Sequence, residues 1–141
     1  MRVAVIHGPN LNMLGEREPE IYGSQTLTDI NAEIMRAASE LRLEVRCAQF
    51  NSEGDIIGAL HSARVEADAV VLNPGAYAHY SYAIADAISA IGLPVIEVHL
   101  SNTQAREVFR RTSVVAPACT GSISGLGSQS YLLALRALAA L

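Results

Sequence analysis

The sequence contains no lysine, and all 10 of its basic residues are arginine. Without a lysine side chain the protein cannot form a lysine Schiff base, anchor pyridoxal phosphate or complete a Walker-type phosphate loop. Its two cysteines, Cys47 and Cys119, lie far apart, so the CxxC spacing typical of zinc and redox sites is missing. We expect both thiols to be chemically inert.

Charge and long apolar runs are also scarce. Charged residues make up 17% of the 141 residues and the formal net charge is -4, which argues against a nucleic-acid-binding surface. No apolar run approaches the ~18 residues of a membrane-spanning helix. We therefore expect a cytoplasmic protein that binds neither nucleic acid nor membrane, folded as a single domain over residues 1–141.

Apolar runs rich in β-branched residues alternate with segments of helical periodicity. This alternation is typical of a doubly wound α/β fold, in which helices cover both faces of a parallel sheet. Strands are predicted at 2–7, 44–50, 68–73 and 94–100, with a fifth near 113–116. Helices are predicted at 26–41, 55–65, 81–91 and 130–141.

The connection between the first strand and the first helix is unusually long. It has the sequence GPNLNMLGEREPEIYGS, residues 8–24, whereas such connections usually take about 2 to 6 residues. We interpret it as a lid with an ordered base and a mobile tip. Within it, Arg17 could stabilise the phenolate of Tyr22 and make it a base. The spacing alone leaves open a solvated arginine and a packed tyrosine.

Polar side chains follow three of the predicted strands at the edge where ligands bind in such sheets. Asn10 follows the first strand, Asn73 ends the third and His79 follows it, and the fourth ends in the segment that contains Glu97 and His99. The period of two puts Glu97 and His99 on one face of the strand. They could form an acid–base pair, an ordinary buried hydrogen bond or, with His79, a metal site. Their position favours the acid–base pair, and no metal is expected because HExxH and sulfur ligands are missing.

The remaining patterns indicate less specific chemistry. GSISG has Ile123 at its centre and is no nucleophile elbow. GSISGLGSQS has no lysine and no glycine at the third glycine position of a phosphate-loop motif, so we interpret it as a turn before the last helix. His7 and His61 are expected to be structural. A flavodoxin-like module that binds a flavin or nucleotide without catalysis is the competing hypothesis.

Five longer motifs carry a family resemblance: GPNLNMLGEREPEIYG, NPGAYAHYS, EVHLSN, AREVFRRTS and GLGSQSYLLALRAL. Together they resemble the type II 3-dehydroquinate dehydratases over nearly the whole chain. The resemblance implies a flavodoxin-like fold with five parallel strands in the order 2-1-3-4-5. It also implies a hydro-lyase of the shikimate pathway to aromatic amino acids, which converts 3-dehydroquinate reversibly to 3-dehydroshikimate without metal or organic cofactor.

The resemblance assigns roles in an anti elimination through an enolate. Tyr22 would remove the proton beside the ketone, and Arg17 would lower the pKa of Tyr22. Asn10 would hold a water at the ketone oxygen. His99, oriented by Glu97, would protonate the departing hydroxyl as general acid.

The resemblance also assigns substrate contacts, to Asn73, His79, Asp86, Leu100, Ser101 and Arg110. The substrate carboxylate would rest on Asn73 and on the backbone N–H groups of Leu100 and Ser101. Asp86 would enter the site of an adjacent subunit, within trimers assembled into a dodecamer. The chain departs from the family pattern at His7, where asparagine is common, at Phe50 and Ser52, and at Thr103-Gln104. We expect none of these departures to touch a catalytic group.

Overall fold

The computed structural model describes residues 1–16 and 18–141, with the backbone alone at residue 22. Within that part of the chain, five strands form one sheet in the order β2-β1-β3-β4-β5, and every neighbouring pair is parallel. The strands are β1 (Arg2–His7), β2 (Glu44–Gln49), β3 (Ala69–Asn73), β4 (Val95–His99) and β5 (Gly121–Ser124). The predicted flavodoxin-like fold and strand order are confirmed.

The helices are α1 (Pro19–Tyr22), α2 (Leu27–Leu41), α3 (Glu53–Glu66), α4 (Tyr82–Ile91) and α5 (Gln129–Ala139). The start of α2 is fixed by a capping box, because Thr26 and Asp29 each accept a hydrogen bond from the other's backbone N–H. The four predicted helices are confirmed, with ends shifted by one or two residues. Searched over the described residues, none of these helices combines the length and apolar character needed to cross a membrane.

Two hydrophobic clusters cover the two faces of the sheet. One joins α2 and α5 to Val3, Val5, Val71, Ile96 and Val98. The other joins α3 and α4 to Ile6, Val70, Leu72 and Val95. Because side chains alternate along a strand, β4 directs its apolar residues at 96 and 98 toward α2 and α5 and its polar residues at 97 and 99 toward the α3–α4 side.

The predicted fifth strand near 113–116 is wrong. Val115 is fully buried in the cluster under α4, and the segment turns into a short 3-10 helix, Ala116–Ala118. The true edge strand, β5, pairs with β4 from Ile96 opposite Gly121 to His99 opposite Ser124. It is mostly exposed and therefore has no apolar run to mark it.

The chain leaves β1 through Gly8, where the backbones of β1 and β3 come unusually close. The Gly8 N–H donates to the Asn73 carbonyl oxygen at 2.7 Å, and a Cβ on Gly8 would lie 2.6 Å from that oxygen. Leu11 and Leu14 are buried beyond it, so the predicted ordered base of the long connection is confirmed. The movement of its tip stays a prediction.

Candidate active site

A cavity of about 200 Å³ opens at the carboxyl edge of the sheet, between the ends of β1, β3 and β4 and the segment that follows β4. Seven of the predicted site residues line it: Asn10, Asn73, His79, His99, Leu100, Ser101 and Arg110. The fold therefore brings together groups that are up to 100 positions apart in the chain. We call this cavity the crevice.

The strongest polar contact at the crevice joins the two polar residues of β4. His99 Nε2 lies 2.6 Å from Glu97 Oε2, and both side chains are buried. The other carboxylate oxygen, Oε1, accepts a hydrogen bond from the Ser113 hydroxyl at 2.9 Å. Ser113 is itself held by the Ala116 N–H at 3.0 Å. Both oxygens of Glu97 are thus engaged, which fixes the carboxylate and the imidazole that it contacts.

A second polar cavity of about 460 Å³ lies behind this pair and shares His79, His99 and Arg110 with the crevice. Ser122 and Ser124 of β5 line it. They are the register partners of Glu97 and His99, so the four side chains occupy one face of two paired strands. The imidazole of His99 therefore lies at the boundary between two polar spaces.

A different buried network ends at Asn73 on the opposite face of the sheet. Its amide nitrogen donates to the Tyr131 hydroxyl at 2.9 Å, and that hydroxyl is 2.9 Å from His7 Nδ1. His7 Nε2 lies 2.8 Å from Asn31 Oδ1. His7 is a satisfied, fully buried imidazole as expected, whereas the other histidine expected to be structural, His61, is exposed on α3.

His79 and Arg110 are placed by contacts with the segment after β4. His79 Nδ1 is 2.9 Å from the Thr112 carbonyl oxygen, which can only accept, so Nδ1 carries a hydrogen. Arg110 stacks over the Phe109 ring at 4.7 Å and donates to Glu107 at 2.7 Å. Hydrogen bonding from Arg110 lowers the pKa of Glu107.

Of the remaining predicted residues, the structure places Asp86 away from the crevice and does not describe two others. Asp86 is exposed on α4 and does not line the crevice. Arg17 and the side chain of Tyr22 lie outside the described residues. Asn10 does line the crevice, in a left-handed conformation, and its N–H donates to Asn51 Oδ1 at 3.0 Å.

The sequence prediction missed several residues of the site. Thr103 and Arg106 line the crevice, and Ser113 holds Glu97. Arg106 and Ser113 both lie in the motif AREVFRRTS, so the signal was available. Ser113 was instead assigned to a strand. Thr103 is one of the departures from the family pattern, and it borders His99 in both cavities.

The two thiols lie away from the crevice. Burial raises the pKa of Cys47 to about 11 and that of Cys119 to about 12, which agrees with the expected inertness. Cys47 borders an apolar groove of about 350 Å³ between β2 and α3. Among the described residues, His, Cys, Asp and Glu side chains do not gather in a group of three suited to a metal ion.

Comparison with known proteins identifies the family. A family model described as dehydroquinase class II matches residues 1–139. The chain belongs to that family. It is 60% identical over 141 residues to a 3-dehydroquinate dehydratase of Pelotomaculum thermopropionicum, covering 100% of this chain and 98% of that one. A Bacillus subtilis protein of the same name is 54% identical over 132 residues, covering 94% and 89%.

Solved structures of class II dehydroquinases share the fold throughout. The type II dehydroquinase of Butyrivibrio crossotus has a TM-score of 0.96 at 44% identity and covers 98% of this chain and 97% of that one. The type II dehydroquinase of Propionibacterium acnes has a TM-score of 0.95 at 46% identity, with 99% and 97% covered. The resemblance that the motifs carried is confirmed, and with it the prediction that the chain is an enzyme.

Proposed function

We propose that this protein is a cytoplasmic hydro-lyase that converts 3-dehydroquinate reversibly to 3-dehydroshikimate in the shikimate pathway. The observation that carries the proposal is the Glu97–His99 hydrogen bond of 2.6 Å at the wall of the crevice. Family membership adds the substrate, because a relative that is 60% identical bears the name 3-dehydroquinate dehydratase. No metal or organic cofactor takes part in the proposed reaction.

The reaction begins with removal of a proton from the carbon beside the ketone. Tyr22 is the base, and the neighbouring charge of Arg17 lowers the pKa of its phenol, since an unperturbed tyrosine with a pKa of about 10 is a poor base at neutral pH. The resulting enolate needs a hydrogen-bond donor at its oxygen, which a water held by Asn10 supplies. A lysine imine, the alternative electron sink, is excluded because the chain has no lysine.

The second half of the reaction expels the hydroxyl as water. His99 donates the proton, and the carboxylate of Glu97 orients its imidazole for that transfer. The hydrogen bond to Glu97 occupies Nε2, which leaves Nδ1 for the substrate. Base and acid act from opposite faces of the ring, so the elimination is anti. Loss of deuterium from the position syn to the hydroxyl would contradict this geometry.

The substrate carboxylate binds to Asn73 and the backbone N–H groups of Leu100 and Ser101, which all line the crevice. His79 and Arg110, which also line the crevice, hold the ring hydroxyls. Asn73 ends β3, and the other donors belong to the segments that follow β3 and β4. The product differs from the substrate by one water, so the same contacts serve the reverse reaction.

We further propose that Asp86 completes the site of an adjacent subunit within trimers that assemble into a dodecamer. Its exposure on α4 supports this role. Large apolar side chains near the crevice are also exposed, with Tyr80 at 60%, Tyr82 at 69% and Phe109 at 56%. An active monomer in size-exclusion chromatography with light scattering, under assay conditions, would overturn this assembly.

The proposed function is tested by following the absorbance of the conjugated enone product after addition of 3-dehydroquinate. The wild-type protein should form the enone, and Tyr22→Phe should reduce kcat more than tenfold, a barrier increase above about 1.4 kcal/mol, because it removes only the phenolic oxygen. The thermal unfolding midpoint controls for folding. Failure of the wild-type protein to form product refutes the function, and a variant above a tenth of the wild-type rate refutes Tyr22 as the base.

A further inference from the structure

The orientation of the Asn73 side chain is fixed from two sides. Its oxygen, Oδ1, accepts a hydrogen bond from the Gly75 N–H at 3.1 Å. Because a backbone N–H can only donate, this contact establishes which end of the amide is the oxygen. The amide nitrogen then faces the Tyr131 hydroxyl at 2.9 Å. A flipped amide would lose the hydrogen bond from the Gly75 N–H and set its own N–H against that donor.

The direction of the hydrogen bonds continues through Tyr131 to His7. His7 Nε2 lies 2.8 Å from the side-chain oxygen of Asn31, so Nε2 carries the hydrogen. Nδ1 of the neutral ring then accepts the hydroxyl hydrogen of Tyr131 at 2.9 Å. The Tyr131 hydroxyl donates its single hydrogen to His7, and its oxygen accepts a hydrogen bond from Asn73. His7 therefore decides which way the Tyr131 hydroxyl points.

Burial keeps this arrangement in one protonation state. His7 and Tyr131 are both 0% exposed and Asn73 is 3% exposed. Burial lowers the pKa of His7 to about 4, and burial raises the pKa of Tyr131. Near neutral pH the ring is thus uncharged and available as an acceptor. A buried polar group that lost its hydrogen-bond partner here would destabilise the folded protein, which favours the fully paired arrangement.

We propose that His7 and Tyr131 are positioning residues that hold the Asn73 amide with an N–H toward the crevice and thereby set the affinity for the substrate carboxylate. An amide nitrogen carries two hydrogens, of which Tyr131 accepts one. Asn73 lines the crevice with Leu100 and Ser101, so the second hydrogen serves a bound anion. This inference rests on the proposed function, which places the carboxylate at Asn73.

The proposal distinguishes two substitutions of similar size at position 7. His7→Leu removes the acceptor, so the Tyr131 hydroxyl is free to turn its hydrogen toward the Asn73 amide. His7→Asn keeps an oxygen close to the place of Nδ1, so the hydroxyl still has an acceptor, although the contact with Asn31 is lost. If the acceptor is what matters, asparagine should restore what leucine removes.

The experiment measures kcat, KM and the thermal unfolding midpoint for the wild-type protein, Tyr131→Phe, His7→Leu and His7→Asn. We expect Tyr131→Phe and His7→Leu to raise KM about tenfold with kcat within about twofold, because binding is lost without a change at the reacting atoms. His7→Asn should bring KM back to within about threefold of wild type. Inhibition by a nonreacting ring carboxylate should weaken in parallel, and inhibition by its carboxamide should change less.

The outcomes separate this inference from the proposed function. If the wild-type protein does not dehydrate 3-dehydroquinate, the proposed function fails. If it does, three results would each refute the positioning role alone. KM could be unchanged in His7→Leu and Tyr131→Phe, or kcat could fall by as large a factor as KM rises. The third such result is that His7→Asn behaves like His7→Leu. Should Tyr131→Phe unfold at assay temperature, the two variants at position 7 decide the matter by the same criteria.

Discussion

Two buried histidines, at the ends of β1 and β4 on either side of β3, differ in the charge of their partners. His99 contacts the carboxylate of Glu97 at 2.6 Å, and a carboxylate stabilises a positively charged ring. Within the part of the chain that the structure describes, the His7 ring is hydrogen-bonded to a phenol and an amide, and burial lowers its pKa to about 4. The same residue type is therefore suited to carry a proton on one face of the sheet and to remain a neutral acceptor on the other.

Their access to the substrate differs in the same way. His99 borders both the crevice and the cavity behind it. His7 is 0% exposed and reaches the crevice only through Tyr131 and Asn73. The comparison teaches that burial alone does not assign a role to a histidine. The charge of the partner and the number of groups between the ring and the ligand do.

The largest effect should follow from removing the charged partner of His99. Glu97→Gln keeps the shape and a polar end but cannot stabilise an imidazolium, so kcat should fall about 10²- to 10⁴-fold while KM changes little. Steady-state kinetics with the enone assay measure this, and circular dichroism controls for the fold. A kcat within threefold of wild type would show that the charge of Glu97 is dispensable and would erase the contrast with His7.

An intermediate effect concerns stability and pH. The pKa of His7 is lowered from its ordinary value of 6.5 to about 4, so the unfolded chain binds a proton at a higher pH than the folded protein. Stability from this residue is complete above pH 6.5 and is lost as the pH falls toward 4, about 2 kcal/mol of it between pH 7 and pH 5. Urea unfolding at both pH values measures the loss, and His7→Asn is the matched control.

One outcome of the urea-unfolding experiment would contradict the prediction for His7. Tyr131, the titratable group in contact with His7, stays neutral throughout this range because burial raises its pKa. The difference between wild type and His7→Asn therefore isolates His7. Equal losses of unfolding free energy in the two proteins would mean that His7 is not held neutral by the fold.

The smallest effect should come from Ser113. Ser113→Ala removes one hydrogen bond from Glu97 and leaves its pairing with His99 in place, which costs about 0.5–1.5 kcal/mol, or a two- to tenfold fall in kcat. Ser113→Thr retains the hydroxyl and should restore the rate. Ser124→Ala, which alters a neighbouring serine on β5, serves as the comparison. Equal effects at 113 and 124 would argue against a specific contact with Glu97.

The fold could be predicted from the sequence where buried elements require a continuous run of apolar residues. All five residues of β3 and of β4 are buried, and both strands were located to within one residue at each end. β5 was missed because an exposed edge strand needs no apolar side chains, whereas the valines at 114 and 115, which imitate a strand, pack under α4 instead. The apolar pattern of a segment indicates that its side chains are buried. It indicates a strand only where the buried segment is also paired in the sheet.

The candidate site was predictable to the extent that it lies at strand ends. Glu97 and His99 were placed together by the period of β4, because they are two residues apart. The contact between His7 and Tyr131 spans 124 positions and has no local signal. The sequence therefore predicts only that His7 touches no catalytic group, and it does not reveal that His7 is connected to Asn73 through one side chain. The roles of Arg17 and Tyr22 stay predictions.

The alternation along β4 also specifies how the strands pair during folding. A slip of one residue against β3 would turn Glu97 and His99 toward α5, among apolar side chains and away from Ser113. The Glu97 carboxylate would then lose its hydrogen bond from Ser113 and be buried among apolar side chains, so the mispaired sheet is disfavoured. The proposed general acid and the carboxylate that orients it thus also help to specify the native register, and a chain that lost them would lose protection against misfolding together with its chemistry.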